Sequence, residues 1–224
     1  MDLASQATGI GALSEPVRRA LYEYVVSQTD AVSRERAATA VGVATHTAKF
    51  HLDKLVDEGL LKTEFRRLSG RSGPGAGRPS KLYRRGEREF AVSLPPRRYD
   101  LVGHILASAV ERAATDGTSM AAAMDAAATD EGRAAGSTSA SRSEDDLDRL
   151  SETLTDQGYE ARVEDDTVLL ANCPFDTLAK EHTALVCGLN QHYVQGVAEG
   201  LGADALQACL EPADGWCCVR TRRS

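Results

Sequence analysis

Cysteine is missing from the first 172 residues of this sequence, although the 224-residue chain contains five. All five lie in its last quarter, at Cys173, Cys187, Cys209, Cys217 and Cys218. A single cysteine is usually a small buried hydrophobe. Disulfides do not persist in a reducing compartment, and an odd number of cysteines cannot all pair. Clustering of this kind is typical of metal ligands or redox-sensing thiols.

Several other features are also absent. No apolar run is long enough to span a membrane, and the N-terminus lacks the order of basic, apolar and small residues that marks a secretory signal. We therefore expect a cytoplasmic protein without a membrane partner. The sequence has no C-x2-C redox pair, nucleophile elbow or phosphate-binding loop. These absences predict that the chain is not an enzyme and leave a thiol enzyme with a DNA-binding appendage unsupported.

Charge divides the chain into two halves. Residues 1–100 contain 17 Lys and Arg against 12 Asp and Glu, whereas the remainder contains 9 against 21. A basic half can neutralise phosphates, and an acidic half is repelled by them. This asymmetry favours one DNA-facing module and one module that stays clear of DNA.

A helix-turn-helix pattern lies in the basic half. Residues Val43 to Gly59 predict an amphipathic helix whose apolar face consists of Ala48, Leu52, Leu55 and Val56. A shorter helix, Ser33 to Val41, precedes it with Ser33 as N-cap, and Gly42 makes the turn between them. In such a pair the second helix reads DNA.

The flanking residues predict a winged helix. Residues 1–13 are expected to be frayed, and a helix capped by Ser14 runs to about Ser27. Two strands, Leu60 to Leu68 and Lys81 to Arg85, pair around the Gly- and Pro-rich loop Ser69 to Ser80.

The candidate DNA contacts follow from this arrangement. On the reading helix they are Thr45, His46, Thr47, Lys49 and Phe50, and in the wing they are Arg66, Arg67, Arg71, Arg78 and Lys81. His51 is interpreted as structural. The alternatives are an ordinary solvated helix face and a basic loop that only aids solubility.

The middle of the chain predicts a dimer contact and a linker. Tyr99 to Ala113 forms a helix with an apolar stripe of Val102, Ile105, Leu106, Ala109 and Val110, which in a two-fold regulator pairs with a second subunit. We therefore expect a homodimer. Residues from Ala113 to Ser143 predict one weak helix followed by a flexible linker.

The last part predicts a small α+β domain. We expect a helix over Glu144 to Gln157, a hairpin turning at Asp165 and Asp166, and a helix from Phe175 to about Gly200. A closing hairpin pairs Ala205 to Leu210 with Gly215 to Thr221. The predicted fold class is thus mainly α with α+β parts: a DNA-binding domain over 1–95, a helical dimerisation segment and linker over 96–143, and a sensor domain over 144–224.

The cysteine positions restrict the kind of site. Cys217 and Cys218 are adjacent, so in an extended segment they point to opposite faces and one ion engages only one of them. Cys209 falls on the polar side of its strand. On one continuous helix His182 and Cys187 lie on well-separated sides, which argues against His182 as a ligand. Thiolates spread over a helix and several strands suit an iron–sulfur cluster as well as zinc.

Two resemblances sharpen these expectations. The stretches VGVATHTAKFHLDKLVDEGLL and RRLSGRSGPGAGRPSKLYRR resemble ArsR-like winged-helix regulators with a GxGRP wing, except that Ala44 stands where most members have a capping serine, so Thr45 is expected to cap the reading helix. The stretches NCPFDTLAKEH, ALVCG and CLEPADGWCCV resemble the C-terminal region of SufR-type regulators.

The SufR-type resemblance implies a transcription factor that couples the status of an iron–sulfur cluster, [4Fe–4S] or [2Fe–2S], to its affinity for a double-stranded DNA operator. The ligands that it implies are Cys173, Cys187, one of Cys217 and Cys218, and Cys209 as a less secure fourth. The alternatives are a regulator that senses zinc or an oxidant directly through its thiols, with Cys217 and Cys218 as the reactive pair, and one that binds a small organic effector.

Overall fold

The computed structural model describes residues 3–67 and 79–224, and the chain forms two compact units, Met1–Val92 (unit 1) and Ser93–Ser224 (unit 2). The described residues contain nine α-helices and seven β-strands, and the strands form two antiparallel sheets. The expected mixture of helices with small sheets is confirmed. No helix in these ranges is long and apolar enough to cross a membrane.

Unit 1 contains four helices, α1 (Leu3–Ala12), α2 (Pro16–Ser27), α3 (Arg34–Val41) and α4 (Thr45–Asp57). Ser33 caps α3 as predicted, and Gly42 ends it in the left-handed conformation. Two expectations were wrong. Residues 3–12 form α1 instead of a frayed end, because the ring of Phe90 lies against Gly9. The side chain of Glu15, not Ser14, caps α2 by accepting from the amides of Val17 and Arg18.

The sheet of unit 1 has the order β1-β3-β2, with β1 at Val32–Ser33, β2 at Leu61–Arg66 and β3 at Ser80–Arg85. The predicted pairing of β2 with β3 is confirmed, and its register places Leu61 opposite Arg85. The predicted loop between them falls mostly on residues 68–78, so its candidates Arg71 and Arg78 lie outside the described residues.

Unit 2 places five helices beside a sheet of order β4-β5-β7-β6. The helices are α5 (Tyr99–Asp116), α6 (Met120–Ser137), α7 (Asp146–Asp156), α8 (Asp176–Glu181) and α9 (Thr183–Gly200). The strands are β4 (Ala161–Glu164), β5 (Thr167–Leu170), β6 (Leu206–Leu210) and β7 (Val219–Arg223). All these helices except α8 contribute buried residues to one hydrophobic core, so residues predicted as a separate segment over 96–143 belong to unit 2.

Helix α6 occupies most of the stretch that was predicted as one weak helix followed by a flexible linker. The helix is confirmed, but it continues to Ser137, so most of the expected linker is helical. It is ordered because it packs very closely against α9. A methyl group at Gly132 would collide with the carbonyl oxygen of Tyr193, and one at Gly196 would collide with that of Thr129. Small residues thus let the two backbones touch, so α6 needs no large apolar side chains to be held in place.

The apolar stripe of α5 is covered largely within its own unit. Val102, Ile105 and Ala109 are buried in the core that α5 shares with α6, whereas the side chain of Val110 is 53% exposed. The stripe therefore has a partner in the same chain.

Two details differ in the C-terminal part. The predicted helix from Phe175 to Gly200 is divided into α8 and α9, because His182 has φ −132° and ψ 51°. The last strand begins at Val219, and not at Gly215 as predicted. The turn at Asp165 and Asp166 is confirmed, with φ of 43° and 60°.

Candidate functional site: a thiol cluster and an exposed helix face

Four of the five cysteines meet in unit 2, although they come from three separate segments. Cys173 follows β5, Cys187 lies in α9, and the other two stand immediately before β7. Hydrogen bonds between thiols link Cys173 with Cys217, Cys217 with Cys218, and Cys218 with Cys187. We call these four residues the thiol cluster.

The condition behind the argument about the doubled cysteine is not met. The opposite-faces argument required an extended segment, but Cys218 lies in a bend before β7 begins. Both thiols therefore reach the same cluster, where Cys217 is 4% exposed and Cys218 is partly buried. His182 stands at the break between α8 and α9, so the single-helix argument about its position does not apply.

Cys209 is placed apart from the thiol cluster. In β6 the side chains of Leu206 and Ala208 are buried, while Gln207 is exposed and Cys209 partly exposed on the other face, as predicted. Its neighbour in the adjacent strand is Arg220. The structure thus brings together four of the candidate ligands and separates the fifth.

In the absence of a cation, the surroundings of Cys173, Cys187 and Cys217 favour the protonated thiol. The hydrogen bond with Cys217, together with burial, raises the pKa of the Cys173 thiol well above its usual value. For Cys217 the contact with Cys173 lowers the pKa, but the contact with Cys218 and burial raise it, to about 11. Burial also raises the pKa of Cys187. A bound cation would reverse this balance, since a coordinating thiol is deprotonated.

Nitrogen donors point at two of the sulfurs. The backbone N–H of Phe175 faces the Cys173 sulfur and that of Val219 faces the Cys217 sulfur. The side-chain amide of Asn190 also donates to Cys217 Sγ, at 3.3 Å. Donors of this kind stabilise negative charge on sulfur, as they do around metal-bound thiolates.

The donor set fits an iron–sulfur cluster or zinc by its chemistry, since both take four cysteine sulfurs. It is not arranged as a ready-made site. Among residues 3–67 and 79–224, no group of three or more His, Cys, Asp or Glu side chains has the arrangement of a metal site. The thiols instead contact one another in successive pairs. Binding of a metal ion or cluster would therefore require their side chains to turn toward a common point.

The segment around Cys173 is tied to the first residues of unit 2. Arg97 Nη1 donates to the carbonyl oxygen of Cys173 at 2.9 Å, and the amide of Arg98 donates to that of Pro174 at 3.1 Å. An opening of about 460 Å³, lined in part by Arg97, Trp216, Cys173 and Cys217, lies beside this segment. Cys173 and Cys217 thus line this opening, although the side chain of Cys217 is itself buried.

In unit 1 the candidate DNA contacts lie on the outer face of α4. Thr45, His46, Lys49 and Phe50 are exposed and Thr47 is half-buried, while Ala48, Leu52 and Leu55 form the buried face as predicted. Thr45 does not cap the helix. The N-cap is Ala44, which has no side-chain acceptor, so the first turn is uncapped. His51 is largely buried, with Nδ1 accepting from Arg18 Nε at 3.4 Å.

A network around Asp53 brings together Lys49 of α4 and Lys81 of β3. Asp53 Oδ1 accepts from Lys81 Nζ at 2.6 Å and from Tyr83 OH at 2.8 Å, and its other oxygen lies 3.8 Å from Lys49 Nζ. Sequence reasoning missed this carboxylate, although its i,i+4 spacing from Lys49 was a signal.

At the ends of the strands, Arg66 and Arg67 are exposed, and Arg66 Nε lies 3.7 Å from Glu64 Oε1. Phe65, which the sequence analysis also missed, is 65% exposed on β2. The described cationic candidates outside α4 are thus Arg66 at the end of β2, Arg67 just after it, and Lys81 on β3.

No protein-family model matches this chain, and neither the curated proteins nor the solved structures yield a match.

Proposed function

We propose that the protein is a DNA-binding transcriptional regulator whose unit 2 holds an iron–sulfur cluster and whose unit 1 is a winged helix that reads the operator. The observation that carries this proposal is the thiol cluster. Four cysteines from three segments converge, and N–H donors face two of their sulfurs. Cys173, Cys187, Cys217 and Cys218 would be the ligands. When bound, such a cluster supplies sensitivity to oxidation, iron supply or nitric oxide.

For DNA binding, the proposal relies on the exposed face of α4 and the cations of the β2–β3 pair. Lys49 would donate to guanine or to a phosphate, and Thr45, Thr47 and Phe50 would meet thymine methyl groups. Arg66, Arg67 and Lys81 would contact phosphates, which adds affinity and salt dependence without sequence readout. A homodimer would place two such helices on two half-sites, whose spacing sets the affinity.

The bonds of Arg97 and Arg98 supply a connection between the site and the chain that leads to unit 1. Both residues follow the boundary at Ser93 closely, and both hold the Cys173–Pro174 segment. A change in the position of Cys173 would therefore alter the hydrogen bonds of Arg97 and Arg98, which lie in the chain that connects to unit 1. This is the route by which we propose that cluster status changes DNA affinity.

The first test is anaerobic purification followed by a visible absorption spectrum and by counts of iron and acid-labile sulfide per chain. We expect brown protein that contains both elements. Cys173→Ser combined with Cys187→Ser should abolish the colour and the iron, whereas the control Cys209→Ser should retain both. Protein that stays colourless after chemical reconstitution would refute the cluster, as would full iron content in the double variant.

A second candidate is direct sensing through the thiols, of zinc or of an oxidant. The pairwise thiol contacts favour it, since hydrogen-bonded thiols such as Cys173 and Cys217 are already neighbours. Zinc binding would give colourless protein with one zinc per chain. Oxidation by a hydroperoxide would join two thiols in a disulfide and reduce the peroxide to an alcohol and water. Mass spectrometry of the peroxide-treated chain distinguishes this outcome from a cluster.

A further inference from the structure

A buried polar pair stands next to the thiol cluster. The hydroxyl of Tyr159 donates to Asn190 Oδ1 at 2.6 Å, and Asn190 Nδ2 donates to Cys217 Sγ at 3.3 Å. Tyr159 is 2% exposed and Asn190 is 1% exposed. Burying two polar side chains costs free energy unless they are hydrogen-bonded. Tyr159 and Asn190 meet this condition through each other, and the second hydrogen bond of Asn190 is directed at the Cys217 sulfur.

The hydroxyl of Tyr159 fixes which end of the amide faces the sulfur. A metal-bound thiolate can only accept a hydrogen bond, so it needs the NH₂ end of Asn190. Burial raises the pKa of Tyr159 well above its usual value, so its hydroxyl keeps the proton that it donates to the amide oxygen. The ring of Tyr159 is held by stacking on Tyr193 and by an edge contact with Phe175.

We propose that Tyr159 and Asn190 are positioning residues that aim an N–H donor at the Cys217 sulfur and thereby raise the reduction potential of a cluster bound there. This inference rests on the proposed function for its effect on potential, but the aimed donor exists in the metal-free chain. The physical reason is charge. Reduction adds one electron and makes or breaks no bond, and an N–H donor stabilises the extra negative charge that reaches the sulfur.

The first experiment uses the full-length, reduced, metal-free chain labelled with ¹⁵N. We expect the side-chain amide protons of Asn190 to exchange slowly with solvent. Tyr159→Phe, which removes one oxygen atom, should accelerate that exchange at least tenfold. Tyr193→Phe is the matched control, because Tyr193 is also a buried tyrosine but its hydroxyl donates to Gln157 instead of Asn190. Equal exchange in both variants would overturn the positioning role.

The second experiment measures the reduction potential of the reconstituted cluster by titration with a one-electron mediator. Asn190→Leu and Tyr159→Phe should both shift the potential to more negative values, with the larger shift in Asn190→Leu. Tyr193→Phe should leave it unchanged. A potential unaffected by Tyr159→Phe and Asn190→Leu would overturn the proposal, and if Asn190→Leu does not fold, Tyr159→Phe alone decides it.

The two experiments fail separately. If the unsubstituted chain takes up no iron and sulfide, the proposed function falls, and with it the effect on potential. The positioning of the Asn190 amide toward Cys217 is then tested by the exchange measurement in metal-free protein alone.

Discussion

The candidate functional residues of unit 1 are mostly exposed, whereas those at the centre of the thiol cluster in unit 2 are buried. In unit 1, α4 turns Lys49 and Phe50 outward, and its core is built by other residues of the same helix. In unit 2, Cys217 and its partner Asn190 are themselves buried in the core. Surface residues rarely affect stability, whereas core residues usually do. Binding and stability should therefore be separable by substitution in unit 1 and closely coupled in unit 2.

The strongest test of this contrast is Gly196→Ala. The added methyl group would collide with the backbone of Thr129, which cannot move without displacing α6. We expect a loss of about 1–3 kcal/mol of unfolding free energy, the usual cost of overpacking a core. Urea unfolding of the whole chain should show a transition of unit 2 at lower denaturant and an unchanged transition of unit 1.

Gly103→Ala is the matched control, because Gly103 is exposed in α5 and nothing lies near its missing methyl group. This variant should be unchanged or more stable by about 0.5–1 kcal/mol, since alanine favours helix. Equal behaviour of the two alanine variants would show that α6 and α9 do not touch as described.

Local signals explain why α2, α3, α4 and the β2–β3 pair of unit 1 could be predicted, whereas α1, which contacts the distant Phe90, could not. Ser33 is a cap, Gly42 is a left-handed turn, and the apolar spacing of Leu52 and Leu55 matches a helix. Each signal acts within a few residues. The capping role of Glu15 was not predicted, because the neighbouring Ser14 is the more common type of N-cap residue.

The packing of unit 2 depends on contacts between residues that are far apart in the sequence. Such contacts cannot be predicted from the pattern of a single segment. Gly132 and Gly136 look like helix breakers until they are set beside Gly196 and Gly200, which have the same four-residue spacing on α9. The cysteines that meet could not be chosen from spacing either, because the choice depends on where β7 begins. The sequence predicted cysteine thiols as the candidate site, but the separation of Cys209 from the other four needed the three-dimensional structure.

Lys49→Ala should separate binding from stability in unit 1. If Lys49 contacts a base, its loss should cost about 1–3 kcal/mol of binding free energy. The measurement is a titration, over a range of salt concentrations, of a DNA site selected from a random pool. The unfolding free energy should change little, because Lys49 is exposed.

Lys54→Ala is the control for Lys49, since it removes the same charge from the same helix, where Lys54 pairs with Glu58 at 2.5 Å. It should leave the affinity nearly unchanged. Similar losses in both variants would indicate that only the general positive charge of unit 1 matters, and not a particular contact.

Arg97→Gln should weaken the coupling between the two units without removing the cluster. The variant loses a hydrogen bond to the carbonyl oxygen of Cys173. The ratio of DNA affinities between cluster-bound and cluster-free protein should therefore move toward one by about fivefold, which corresponds to about 1 kcal/mol of coupling free energy. Arg112→Gln breaks an ion pair of α5 with Asp130 and should keep the ratio. An unchanged ratio in Arg97→Gln would refute this route.

The smallest expected effect is on the pH dependence of unit 1, through Asp53. Burial alone would raise the pKa of its carboxyl, but hydrogen bonds from Lys81 and Tyr83 outweigh burial and hold the pKa below its usual value. The carboxylate therefore stabilises the folded state above the unfolded-state pKa of about 3.9, and this stabilisation is lost as the pH falls through the lower folded-state value. Because solvent screens the pair, Asp53→Asn should cost at most about 1 kcal/mol at pH 7.

The difference between Asp53→Asn and the unsubstituted chain should shrink as unfolding is measured at successively lower pH, and vanish once the native carboxyl is protonated. Asp57→Asn removes an exposed carboxylate from the same helix and is the control for the loss of one negative charge. Asp53 also restrains the side chains of Lys49 and Lys81. Because Asp53→Asn leaves both lysines in place, it should alter DNA affinity less than Lys49→Ala does. A constant difference at every pH would mean that Asp53 acts through its shape and hydrogen bonds, and not through its charge.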